Sequence, residues 1–83
     1  MPEQNIADRV KEIIAEDLGV ELGKVVPEAR FVEDLGAGTD GSETTALAID
    51  FEDGFEILIP FEASDEWITV ADAIACVEGL VQK

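Results

Sequence analysis

A small, largely helical domain is what this sequence predicts, and three observations say so. Ile6, Val10, Ile13, Ile14 and Leu18 recur at helical spacing near the start, and Val70, Ala73, Ile74, Val77 and Val81 do so near the end. The third is composition: 83 residues with 47% hydrophobic content suffice for one domain, read here as 1–83, with a thin core. The middle of the chain, from Ser42 to Ile59, is open to two readings.

In the first helix, Asp8, Arg9, Lys11, Glu12, Glu16 and Asp17 fill the faces that the apolar stripe leaves. Asn5 is placed to cap its start and Gly19 to end it. From Gly19 to Gly41 no period is sustained. So many apolar residues (Val20, Leu22, Val25, Val26, Phe31, Val32, Leu35) predict a loop that packs across the domain, not one that hangs in solvent. Ser42 to Phe55 then carries Leu47, Ala48, Phe51 and Phe55 on one helical stripe, while Leu47, Ile49 and Phe51 also alternate as a strand would. Asp53-Gly54 ahead of Phe55, Ile57 and Ile59 is a hairpin signal. Beyond Pro60, Glu62 to Trp67 has room for one short helical turn. Thr69 with Asp72 has the form of a capping box for the last helix, and Ile68 with Ala73 is placed to staple it. Trp67 reads as a core anchor and Cys76 as a half-buried small apolar residue.

The formal net charge is −15, and its distribution is uneven. Arg9, Lys11, Lys24 and Arg30 lie in the first thirty positions, whereas residues 31–82 hold thirteen acids and no Lys or Arg. Such a surface repels nucleic acid and anionic lipid, favours a monomer through mutual repulsion, and attracts proteins with basic patches. The chain has no histidine and one cysteine, which leaves no transition-metal site and no Ser–His or Cys–His pair for nucleophilic catalysis. An EF-hand loop fails because Gly36 or Ile49 would fall at its first ligand position. The N-terminus lacks the pattern of a secretory signal, and the longest apolar run, Ile57 to Phe61, is too short to span a bilayer, so the expected location is cytoplasmic.

With these residues in view, the chain resembles the acyl carrier protein family nearly end to end. Asp8 to Leu35 matches its first helix and loop without a gap, and Phe51 to Ile74, with Phe55, Ile59-Pro60 and Ile68-Thr69-Val70, matches its second half. The resemblance implies an all-α, four-helix bundle, three main helices plus one short one, with a long first loop and an apolar cleft. It implies a non-enzymatic carrier whose serine bears 4′-phosphopantetheine, the thiol of that arm holding an acyl group as a thioester. It implies phosphopantetheinyl transferase and acyl-processing enzymes with basic patches as partners, met by acids along the second helix. It also favours helix over hairpin for Ser42 to Phe55, turns Ile49 outward, and puts Thr45 at a cleft position.

The departure falls at the modified serine. The family reads Gly-Ala-Asp-Ser-Leu there, and this chain is two residues longer over the same span. Counting forward from Leu35 puts Thr39 in the serine slot, and counting back from Phe55 puts Gly41 there. Ser42 is one position late, follows Gly41 and precedes Glu43, and Ala46 stands where an acid is usual. In one reading the longer loop slides Ser42 into the helix start, with Asp40 as the nearby acid. Thr39 is the second candidate for attachment, and Asp40, Glu43, Ile49, Glu52, Asp53 and Glu56 form the expected partner face. In the other reading Ser42 is an ordinary helix cap. The chain is then an unmodified acidic interaction module on a carrier fold.

Overall fold

Four α-helices and one 3₁₀ turn follow one another in the computed structural model, which describes residues 6–38 and 42–81 and has no strand among them. Helix α1 spans Ile6–Leu18, the 3₁₀ turn Leu22–Lys24, α2 Ser42–Phe55, α3 Phe61–Asp65 and α4 Val70–Val81. The expected Asn5 cap lies outside the described residues.

Both end stripes point inward as their spacing requires. Val10, Ile13 and Ile14 of α1 and Val70, Ala73 and Val77 of α4 are buried. Helix α1 packs against α2 and α4, and α2 also packs against α3. Cys76 is half-buried, as expected of a small residue beside the stripe. Trp67 is buried and its ring meets Phe51 with centroids 5.7 Å apart, so the aromatic anchor of α2 is held from the α3–α4 connection.

The middle of the chain is helix, not hairpin. Thr44, Leu47, Ala48 and Phe51 are the buried residues of α2, which is the 3.6-residue stripe. An alternating strand would put Ile49 on the same side as Leu47 and Phe51, yet Ile49 is 59% exposed while they are sealed. Asp53-Gly54 is absorbed into the last turn. The helix ends at Phe55, and beyond it Glu56 takes a left-handed conformation with φ 58° and the Ile57 N–H donates to the Glu52 carbonyl. On that stripe Thr44 is buried and Thr45, one step round the helix, is half-buried.

The long α1–α2 connection crosses the bundle, and its backbone explains how. The Phe31 N–H donates to the Ile68 carbonyl (3.0 Å), while Val70 and Ala71 donate to Ala29 and Pro27 (both 2.9 Å). The loop is thereby laced to the start of α4, with Val25, Ala29, Phe31, Leu35 and Ala37 buried beneath it. Asp34 fixes the following turn, accepting the Arg30 N–H at 2.8 Å, and that bond lowers its pKa. Gly36, at φ 79°, takes the left-handed step that turns the chain back.

The capping box of α4 forms as its spacing predicts. Asp72 accepts the Ile68 and Thr69 N–H groups (2.9 and 3.0 Å) and Thr69 Oγ1 accepts the Asp72 N–H (3.3 Å). The staple does not form. Ile68 is exposed although Ala73 is buried, while the Ile68 N–H donates to Asp72 and its carbonyl accepts from Phe31.

Candidate functional site

Helix α2 presents one exposed face along its whole length. Ser42, Ala46, Ile49 and Asp53 recur at steps of three and four, and each is exposed. The sequence-derived candidates Ser42, Ile49 and Asp53 therefore share a stripe of about 16 Å with the hydroxyl at its start, and Glu56, also exposed, follows the last residue of the helix. Thr39 and Asp40 lie outside the described residues.

Ser42 is the first residue of α2, at the end where backbone N–H groups point outward and the helix dipole is positive. Its hydroxyl donates to Glu43 Oε1 (3.2 Å), and the same oxygen accepts the Gly38 N–H (3.0 Å). Glu43 is half-buried and ties the incoming loop to the helix start across residues 39–41. It thus has a local structural task as well as its expected place on the partner face.

Glu52 also turns away from that face. Its Oε2 accepts the Ile59 N–H at 2.6 Å, a short charge-assisted bond from the middle of α2 to the segment entering α3. That bond places Ile59 in the core and determines where its neighbours emerge. Spacing along one helix cannot reveal a bond to an amide seven residues ahead. Asp50 is a second feature that spacing concealed. It meets Asp17 of α1, and partial burial there, together with the hydrogen bond and charge of Asp50, pushes the Asp17 pKa up to about 6.

The acids of α2 are arranged against the helix's own preference. No basic residue occupies its last turn, and Glu52 and Asp53 sit there, at the negative end of the dipole. Carboxylates in that position cost a helix some tenths of a kcal/mol each, about 0.3–1 at an exposed site. Glu52 has a local use that offsets the cost. Asp53 is exposed.

No protein-family model matches the chain. A curated relative, the acyl carrier protein of Akkermansia muciniphila, is 41% identical over 78 residues, covering 94% of this chain and 95% of that protein. The chain belongs to the acyl carrier protein family. The resemblance implies a phosphopantetheine on a serine at the start of the second helix, where this chain has Ser42.

The residues present fit such a group. A phosphodiester at the start of a helix is favoured by the dipole and by unpaired amides, and Ser42 offers an exposed hydroxyl at that place. Ser42 would hold the arm through Oγ, and the first turn of α2 would face its phosphate. Among the described residues no helix is long and apolar enough to cross a membrane, and no group of three or more metal-ligating side chains is gathered.

Proposed function

We propose that this chain carries acyl groups on a 4′-phosphopantetheine esterified to Ser42, for fatty-acid or related synthesis, without catalysing a reaction itself. The observation that carries the reading is the exposed Ser42 hydroxyl at the first position of α2, in a chain of this family. When bound, the arm supplies a terminal thiol on which cargo is held as a thioester. The chain's own residues do the rest. The start of α2 holds the phosphate. Ile49, Asp53 and Glu56 offer an acidic face with one apolar centre to enzymes carrying basic patches, the phosphopantetheinyl transferase among them. Glu43 and Glu52 add negative charge from α2, while Asp40 as a partner residue and Thr39 as the second candidate for attachment rest on the sequence alone. A monomer accords with the strong mutual repulsion of a chain of this charge, and the cytoplasm is its proposed place of work.

Incubation with a phosphopantetheinyl transferase and coenzyme A tests this. Intact mass should rise by one phosphopantetheine, and Ser42→Ala should abolish the gain while Thr39→Ala keeps it. An unchanged mass for the native sequence removes the carrier role.

One observation favours a second reading, that of an unmodified acidic interaction module. The Ser42 hydroxyl is engaged by Glu43, a residue that stands where the family has leucine. In that case the unmodified protein binds its partners stably, and added salt weakens the binding.

A further inference from the structure

The fold splits the apolar run Ile57 to Phe61. Ile59 is buried, Ile57 is half-buried, but Leu58 is 84% and Phe61 68% exposed. These are the two most exposed large hydrophobic side chains among the described residues. Scattered single exposures are ordinary, whereas a leucine and a phenylalanine standing out on either side of the buried Ile59 are not.

The segment that presents them is held from both ends. On the incoming side the Glu52 carboxylate fixes the Ile59 N–H. On the outgoing side the Pro60 carbonyl accepts the Ala63 N–H at 3.0 Å and the Phe61 carbonyl accepts the hydroxyl of Ser64, itself 1% exposed. Side chains on so constrained a backbone lose little freedom when a partner covers them, and an aromatic ring is the commonest kind of interface anchor. The surroundings specify the partner's chemistry. Glu56 precedes the pair, Glu62 follows it, and no Lys or Arg occurs anywhere from 31 to 82. A second copy of a chain of net charge −15 is repelled, whereas an apolar socket rimmed by Lys and Arg is complementary.

We propose that Leu58 and Phe61 form an apolar anchor, at the end of α2 remote from Ser42, that seats in a basic-rimmed apolar socket on an acyl-processing enzyme. The inference rests on the carrier reading for the identity of the partner. The anchor lies beyond the far end of a helix about 20 Å long, so it sets which enzyme engages without touching the attachment chemistry.

The test uses the full chain and, as probe, a purified condensing enzyme of fatty-acid synthesis, with affinity measured at low and high salt. Leu58→Ser, Phe61→Ser and the double variant should keep the native melting midpoint, since neither side chain is in the core. The double variant should bind the probe roughly tenfold or more weakly, with the slope of affinity against salt unchanged. Asp53→Asn, by contrast, should flatten that slope. Equal affinity of native and double-variant chains overturns the proposal, as does absence of measurable binding by the native chain. Association of the chain with itself at high salt, lost in the double variant, also overturns it by assigning the pair to a second copy. The mass gain at Ser42 is read separately, so loss of the carrier reading and loss of the anchor are distinct results.

Discussion

Glu52 offers a sharp separation between a residue that faces partners and one that holds the fold. Replacing it with alanine removes the acceptor of the Ile59 N–H, a bond of 2.6 Å to a charged oxygen in a half-buried setting. Hydrogen bonds to charged groups contribute about 1.5–3 kcal/mol. Glu52 also sits unfavourably in the last turn of α2, which returns a few tenths of a kcal/mol when the charge is removed. The net expected loss is about 1.5 kcal/mol. For a small domain with a urea dependence near 1 kcal/mol per M, the denaturation midpoint should fall by about 1–1.5 M. Glu52→Gln keeps an acceptor oxygen without the charge and should lose less than half as much. The assay is urea unfolding followed by helical circular dichroism, run beside partner binding under conditions where each variant is folded. If Glu52→Ala unfolds at the native midpoint while its partner binding drops, the carboxylate serves the interface and the structural role argued here is wrong.

Two other outcomes follow from particular geometries. Folding holds the Asp17 proton up to about pH 6, whereas the unfolded chain releases it near 3.8, so this group's stabilisation grows as pH falls through 6 and is lost again as pH rises. Asp34 and Asp72, whose pKa values are lowered by backbone hydrogen bonds from Arg30 and from Ile68 and Thr69, act in reverse and lose their contribution as pH falls below about 3.8. Thermal midpoints should therefore rise from pH 7 towards 5 and fall below 4, and Asp17→Asn should flatten the upper limb; an unaltered limb would show that the α1–α2 carboxyl contact is unimportant. Glu56 occupies a left-handed conformation that favours glycine. Glu56→Gly should thus gain about 0.5–1 kcal/mol and a few degrees of melting midpoint, at about 4–8 °C per kcal/mol for a domain this size; a lower midpoint would contradict it.

The parts legible in the sequence are those written in local spacing. The stripes of α1 and α4 and the Thr69–Asp72 capping box follow from period and cap chemistry, whereas the inward turn of Leu47, Ala48 and Phe51 is favoured only by the family resemblance. The helix-or-hairpin contest over Ser42 to Ile59 was not decidable that way, because Leu47 and Phe51 satisfy both periods and Asp-Gly is also tolerated near a helix end. Packing of α2 against α1 and α3 decides it, and packing is a long-range fact. The hydrogen bonds between the long loop and α4, the Glu52–Ile59 bond and the Asp17–Asp50 contact were hidden for the same reason. Each joins residues whose meeting depends on the assembled bundle. The attachment residue is the least legible part, because the two-residue insertion blurs its register between Thr39, Gly41 and Ser42. The residues just before α2 that would carry that register are 39–41.

The central claim concerns a hydroxyl at the head of α2, and the mass of the protein as it occurs in its own cells tests it most directly. The account predicts a species heavier than the chain by a phosphopantetheine, with or without an acyl group, and fragmentation that places the addition on Ser42. A chain found only at its unmodified mass, or an addition on Thr39, would contradict it.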